Sequence, residues 1–106
     1  MSSDKGYLDF ILDQLSPLDG VTYRAMMGEY IIYYNGKPVG GIYDDRFLIK
    51  PTGSAKRLLP DAALEAPYEG GKPMISVDRV DESAFLCELV RSVERDLPNG
   101  KNEVNT

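Results

Sequence analysis

The dipeptide Asn35-Gly36 constrains the fold of this chain most, because it lies in the middle of a segment of alternating tyrosine, isoleucine and valine residues. Asn-Gly is the preferred sequence of a two-residue type I′ turn, which requires a positive φ at both central positions. Such a turn predicts a β-hairpin in which Ile32 lies opposite Val39. The centre of the chain is therefore predicted to be an antiparallel sheet.

Two further turns extend this hairpin on either side. Asp44-Asp45 separates two apolar runs, and adjacent aspartates are typical of a turn. Gly28 predicts another tight turn, through which residues 22–27 would pair with residues 30–35. Four consecutive antiparallel strands follow from these three turns.

Apolar residues spaced three and four apart predict helices over residues 4–15 and 81–96, and a shorter helix over residues 52–60. Between the last two helices lie a loop-like segment, residues 61–73, and one more strand, residues 74–79. The predicted N-caps of the second and third helices are Ser54 and Asp81. Together these elements predict an α+β fold with two layers, in which an antiparallel sheet of about five strands carries the N- and C-terminal helices on one face.

The length of 106 residues and the hydrophobic content of 42% predict one globular domain, residues 1–97, followed by a polar, disordered tail, residues 98–106. No apolar run reaches the ~18 residues of a membrane span, and the start of the chain lacks the basic and apolar regions of a signal peptide. The single cysteine, Cys87, cannot form an internal disulfide bond and suits a reducing compartment. We therefore expect a cytoplasmic protein with no membrane partner.

Charge and the lack of histidine narrow the range of functions. The formal net charge is −5 and the lysine and arginine residues are scattered, which argues against direct binding of nucleic acid. Without histidine, the chain lacks the most common general acid or base and the most common metal ligand. We therefore expect a protein that is not an enzyme, with no catalytic residue, no cofactor and no metal site.

Regular alternation along the predicted strands divides the sheet into two faces. One face is predicted to be the core beneath the helices and holds Ile31, Tyr33, Gly40, Ile42, Phe47 and Ile49. The other, the predicted contact face, holds Tyr30, Ile32, Tyr34, Val39, Tyr43 and Leu48. A solvated sheet face is mostly polar, so this apolar and aromatic face predicts an interface with a protein partner or with a second copy in a homodimer. The alternative is that a helix or the C-terminal segment covers it.

The segment PYEGGKP, residues 67–73, favours a different class of function. It combines a glycine-rich loop with both signs of charge, which is typical of a small-molecule-binding domain or an enzyme. The predicted loop site consists of Arg24, Tyr68, Glu69 and Lys72. A pocket lined by these residues would support this alternative.

Four segments in this order resemble a known family. The run YRAMMGEY, the tyrosine-rich Asn-Gly hairpin, the turn YDDRFLIK and the PYEGGKP loop are similar to the N-terminal domain of the TfoX/Sxy family, over residues 7–97. Members of that family are linked to regulation of natural competence in bacteria. The resemblance implies a two-layer, secretion-chaperone-like fold and a non-enzymatic role in competence or transcriptional regulation through a protein partner. It implies no catalytic residue.

Two features depart from the family pattern. Met27 stands where the family commonly has phenylalanine before a glycine. The chain also ends soon after Leu97, so it is expected to lack the second, helical domain of full-length competence regulators. The resemblance is therefore to a stand-alone short form of the domain.

Overall fold

The computed structural model describes residues 4–98, so the predicted tail lies almost entirely outside the described residues. The elements in chain order are α1 (Lys5–Gln14), β1 (Val21–Met26), β2 (Glu29–Tyr34), β3 (Lys37–Tyr43), β4 (Arg46–Ile49), α2 (Gly53–Leu58), β5 (Leu64–Glu65), β6 (Met74–Ser76) and α3 (Ser83–Asp96). The strands form one antiparallel sheet in the order β1-β2-β3-β4-β6-β5. The predicted α+β fold is confirmed, with six strands because β5 forms inside the segment that was expected to be a loop. None of the helices within residues 4–98 has the length and apolar content that a membrane span requires.

Left-handed backbone joins the first four strands through two-residue turns. Positive φ angles between 52° and 85° occur at both central residues of the three turns Met27-Gly28, Asn35-Gly36 and Asp44-Asp45. Type I′ turns require this geometry, so the turns predicted from the sequence are confirmed. The Asp45 carboxylate also accepts the backbone N–H of Asp4 at 2.7 Å, which ties the third turn to the start of α1.

Two helix starts differ from the predicted caps. The N-cap of α3 is Glu82 and not Asp81, and the Glu82 carboxylate bonds to the Arg79 guanidinium at 2.8 and 3.0 Å instead of capping the helix. The N-cap of α2 is Thr52 and not Ser54, since the Thr52 hydroxyl accepts a backbone N–H from the first turn at 3.3 Å. Both corrections move a helix boundary by one or two residues and leave the fold unchanged.

The core lies between the helices and one face of the sheet. Its largest fully buried side chains are Leu8 and Ile11 of α1, Leu15 directly after α1, Leu86, Leu89 and Val90 of α3, and Ile32, Val39, Ile42, Phe47 and Ile49 of the sheet. Each such side chain contributes ~1.5–3 kcal/mol when it leaves water. The single cysteine, Cys87, is buried among them, and its thiol contacts the Gln14 carbonyl.

A β-bulge in β3 breaks the regular alternation of the sheet. Tyr33 pairs with Pro38, but the next pair joins Ile32 to Gly40, so Val39 is an extra residue on β3. An extra residue shifts every later side chain of that strand to the other face. The predicted pairing of Ile32 with Val39 was therefore wrong.

The bulge also corrects the predicted contact face. Val39 and Ile42 are three residues apart, and strict alternation would put them on opposite faces, yet both are fully buried in the same core. Ile32 joins them there and is likewise inaccessible to solvent. The prediction that Ile32, Val39 and Leu48 lie on an exposed contact face was wrong, because all three are fully buried. The bulge places Ile32 and Val39 beneath the helices together with Ile42. Ile31 and Tyr33, predicted to be in the core, point to the other side.

Candidate binding groove

A groove of about 710 Å³ lies on the sheet face opposite the helices, between that face and the PYEGGKP loop. Its sheet side includes Ile31, Tyr43 and Met74, each next in sequence to a buried core residue on the opposite face. Its other walls come from the loop and from the chain around Pro51 and Leu97. The groove is therefore built from segments that are far apart in the sequence.

The PYEGGKP loop folds back over this face through a tight turn. The backbone N–H of Gly71 donates to the carbonyl of Tyr68 at 2.9 Å, and Gly70 has a φ of +84°. Pro67 is buried, whereas Tyr68 is 65% exposed. The ring centroid of Tyr68 lies 6.5 Å from that of Tyr43 in an edge-to-face arrangement, which is favourable for aromatic pairs.

The ring of Tyr43 occupies space that a side chain at position 41 would need. A Cβ added at Gly41 would lie 2.7 Å from Cε2 and 2.8 Å from the hydroxyl oxygen of Tyr43. Burial raises the pKa of the Tyr43 hydroxyl, and the nearby Tyr68, Glu29 and Tyr33 raise it further. The phenol is therefore neutral at physiological pH and can donate a hydrogen bond inside the groove.

The turn that carries Tyr43 is fixed by an arginine. The Nε of Arg46 donates to the Tyr43 carbonyl at 3.1 Å, and the same guanidinium forms a salt bridge with Glu65 of β5. The charge of Arg46 is therefore used within the protein, where it links the β3–β4 turn to β5 at the far edge of the sheet.

Two lysines supply positive charge to the groove. Lys50 and Lys72 both contribute to its walls. In the described part of the chain, neither is among the lysines that pair with a carboxylate. The groove thus combines apolar and aromatic walls with cations that are available to an acidic group of a ligand.

Half of the predicted loop site belongs to the groove. Tyr68 and Lys72 line it, whereas Glu69 is exposed on the loop and does not. Arg24 lies on β1 beside Ile31, one strand away from the lining residues. The structure therefore provides a pocket at the loop, but it does not bring all four predicted residues together.

The predicted contact face is dispersed. Only Tyr43 of its members lines the groove. Tyr30 and Tyr34 are partly buried against the core, and Leu48 is fully buried although it pairs with Gly41 on the groove side of the sheet.

Sequence reasoning missed Ile31, Met74 and Leu97 as lining residues of the groove. Regular alternation without the bulge places Ile31 in the core. The adjacent glycines Gly40 and Gly41 were the available signal, since glycine inside a strand often marks a bulge or a close approach of backbone. The contribution of Leu97, at the end of α3, has no signal in the local sequence.

The groove is suited to binding more than to proton transfer. Among residues 4–98, its titratable side chains are two tyrosines and two lysines, and no carboxylate lines it. Over residues 4–98, no three or more cysteine, aspartate or glutamate side chains converge in a way that could hold a metal ion. An apolar segment bearing an acidic group has the chemistry that complements these walls.

Two of three comparisons with known proteins give a match. The TfoX N-terminal domain model matches residues 13–92. An uncharacterized 12.7 kDa protein in the trpE 5′ region of Spirochaeta aurantia is 33% identical over 102 residues, which covers 95% of this chain and 89% of that protein. No solved structure matches the chain at a significant level. The matched residues span both the sheet and most of α3, and the chain belongs to the TfoX N-terminal domain family.

Proposed function

We propose that this chain is a non-enzymatic regulatory module that acts in competence or other transcriptional control in the bacterial cytoplasm, by binding a protein partner. Membership of the TfoX N-terminal domain family supports the regulatory role. The single observation that supports partner binding is the groove opposite the helices, with its apolar and aromatic walls. Its occupant is an extended, mainly apolar segment of the partner that carries an acidic residue.

The shape and charge of the groove favour such a segment. Tyr68 and Tyr43 present aromatic surface, which is enriched in the energetically important parts of protein interfaces. Lys50 and Lys72 would pair with a carboxylate of the partner, because neither is engaged by a carboxylate of residues 4–98. The chain as a whole is acidic, with a net charge of −5, so these two lysines form a local region of positive charge. They would fix the orientation of an acidic segment in the groove.

Site-specific photo-cross-linking in the host cell tests partner binding. A photoreactive amino acid at position 68 should capture a defined protein, because Tyr68 is 65% exposed and lies in the groove. The matched control is position 64, since Leu64 is 60% exposed but lies outside the groove. The adduct at position 68 should disappear when Met74→Lys places a charge among the groove walls. Equal capture from both positions, or no effect of Met74→Lys, would contradict the proposal.

A transcript measurement tests the regulatory role separately. Deletion of the gene should alter a defined set of transcripts, and the wild-type chain should restore them. Met74→Lys should fail to restore them, whereas Leu64→Lys should succeed. If deletion changes no transcript under conditions that induce competence genes, the regulatory role is excluded even if a partner is captured.

The volume of the groove favours a second candidate, a domain that binds a small organic acid at the PYEGGKP loop. About 710 Å³ falls in the range of ~300–1,000 Å³ that is usual for small-molecule sites. In that case Lys50 and Lys72 bind the carboxylate, and the neutral Tyr43 hydroxyl donates to a ligand oxygen. NMR titration with aromatic carboxylic acids and with their matched primary amides distinguishes this candidate. Shifts at Tyr68 and Met74 with the acids alone would support it, and no shift with any compound would exclude it.

A further inference from the structure

The two edges of the sheet differ in how they are protected against pairing with another strand. At one edge, β5 is only two residues long, and prolines stand nearby on both sides at Pro60 and Pro67. At the other edge, β1 is six residues long and contains no proline, lysine or bulge, and its one charged side chain is the exposed Arg24. No segment of residues 4–98 pairs with the outer side of β1. A long edge strand with a single charged side chain is poorly protected and is a template for pairing with a further strand.

The hydrogen-bond ladder determines which backbone groups of β1 face outward. The carbonyl of Gly20 accepts the N–H of Asn35 at 3.1 Å, so the ladder begins with a hydrogen-bonded pair. Such pairs alternate along antiparallel strands, and every second residue from Thr22 therefore bonds to β2. The backbone N–H and C=O groups that point away from the sheet are those of Val21, Tyr23 and Ala25.

Exposed apolar side chains and an apolar cavity lie along the same edge. Three of the exposed large hydrophobic side chains are found here: Tyr23, Met26 and Met27, the last with 97% of its surface exposed. A cavity of about 420 Å³ lies between the end of α1 and β1, with walls that include Leu12, Leu15, Leu18 and Val21. The edge thus offers both outward hydrogen-bonding groups and apolar surface on each side of them.

We infer that this chain forms a two-fold symmetric homodimer in which β1 pairs antiparallel with β1 of a second copy. The two six-stranded sheets then continue as one sheet across the dimer axis. This inference concerns a different surface from the groove and does not depend on the proposed function. A second copy fits the edge because a two-fold axis lets one strand supply both halves of the interface.

Backbone parity and charge select the register of this pairing. Hydrogen-bonded pairs between the two copies can form only among the outward-facing residues Val21, Tyr23 and Ala25. More than one such pair forms only if the two-fold axis passes through Thr22, Tyr23 or Arg24. An axis at Arg24 would oppose two arginines directly, which is unfavourable. An axis at Tyr23 forms the largest number of pairs, with Tyr23 opposite its symmetry mate, Val21 opposite Ala25, and Thr22 opposite Arg24. We therefore place the axis at Tyr23.

The same register gives the most exposed side chain a partner. With the axis at Tyr23, Met27 of one copy lies beside Asp19 of the other, next to the apolar cavity between α1 and β1. Val21 and Leu18 of the second copy line this cavity. Met27, which is 97% exposed in a single copy, would thus pack at the apolar cavity of the other copy.

The mass of the full chain in solution tests the inference. At about 100 μM, where an interface of micromolar affinity is populated, light scattering should report twice the 11.8 kDa of one chain. Hydrogen exchange should show protected amides at Val21, Tyr23 and Ala25 in the dimer, because these groups bond to the second copy. A monomeric mass at this concentration would overturn the inference. This holds even if the three amides are protected, because another part of the same chain would then be covering β1.

Two variants of β1 and one control locate the interface. Ala25→Pro removes an outward N–H without removing a bond to β2, so the fold should persist, by circular dichroism, while the dimer dissociates. Met27→Lys should weaken the dimer at least ~10-fold, the loss expected when one methionine is no longer buried. Leu64→Lys, on the opposite edge of the sheet, should leave the dimer intact. A dimer that resists Met27→Lys and Ala25→Pro, or that Leu64→Lys disrupts, would use another surface and would overturn the inference.

Discussion

The bulge at Val39 requires glycine at the next position, and Gly40→Ala tests this requirement. A Cβ at position 40 would lie 2.3 Å from the carbonyl oxygen of Leu48 and 3.0 Å from the Cα of Ile49. Both are backbone atoms of β4, so no side-chain rotation can relieve the contact. Because optimal contacts between heavy atoms are ~3.5–4 Å, the β3 and β4 backbones would have to separate by about 1 Å in the middle of the sheet.

The expected cost follows from this displacement. Overpacking usually destabilises a protein by ~1–3 kcal/mol, and we expect the upper end here, about 3 kcal/mol, since the backbone must move. For a domain of this size, that loss lowers the melting temperature by about 10 °C or more. Gly53→Ala is the matched control, because no atom lies within 4 Å of its added Cβ and the residue begins a helix. The control should be neutral or stabilise by up to ~1 kcal/mol.

Chemical denaturation followed by circular dichroism measures both variants. If Gly40→Ala lies within ~0.5 kcal/mol of the wild type, the size of an ordinary surface substitution, the close approach of β4 is not rigid and the argument from the bulge fails.

Two further predictions concern the last helix. Lys37 donates to the Glu94 and Leu97 carbonyls and pairs with the Glu94 carboxylate at 2.8 Å, and only 17% of its side chain is exposed. Because Lys37→Met removes these contacts, it should lower the free energy of unfolding by roughly 2 kcal/mol. Lys5→Met removes an exposed pair and should change the denaturation midpoint little. The backbone N–H of Ser54 lowers the pKa of Asp96, so the stabilisation from this carboxylate is complete above the usual value of 3.8 and is lost as pH falls through the lower folded value. Asp96→Asn should therefore be less stable than the wild type at pH 7, and the difference should vanish in acid; a constant difference at every pH would contradict this assignment.

The sequence was sufficient for the local elements of the fold. Asn35-Gly36 and Asp44-Asp45 adopt the left-handed turns that their residue types favour, and the apolar spacing located α1 and α3 within two residues. These features depend on residues close together in the chain, where backbone preference and hydrophobic period decide the outcome. The short β5 escaped prediction because two residues carry no period of their own, and its pairing with β6 depends on tertiary contacts.

The faces of the sheet could not be assigned from alternation alone. One extra residue at Val39 turns every later side chain of β3 to the opposite face of the sheet. Because Ile32 then pairs with Gly40 and not with Val39, it lies on the core face, whereas regular alternation places it on the contact face. The groove depended on the same assignment, because its sheet side includes Ile31, which was expected in the core. Residues such as Leu97 join the groove only through the packing of α3, which no local pattern encodes.

The two adjacent glycines of β3 connect the fold to the groove. Gly40 lets the β4 backbone approach closely at the bulge, and Gly41 leaves room for the ring of Tyr43 on the opposite face. A larger residue at position 40 would push β3 and β4 apart. A Cβ at position 41 would lie 2.7 Å from the Tyr30 carbonyl of β2 and equally close to the Tyr43 ring, so it would displace the β2 backbone as well as Tyr43. Because Tyr43 in turn packs against Tyr68 of the loop, the glycine pair that shifts the register also sets the shape of the groove. Gly41→Ala should therefore alter binding at the groove through Tyr43, even though glycine itself offers a ligand no side chain.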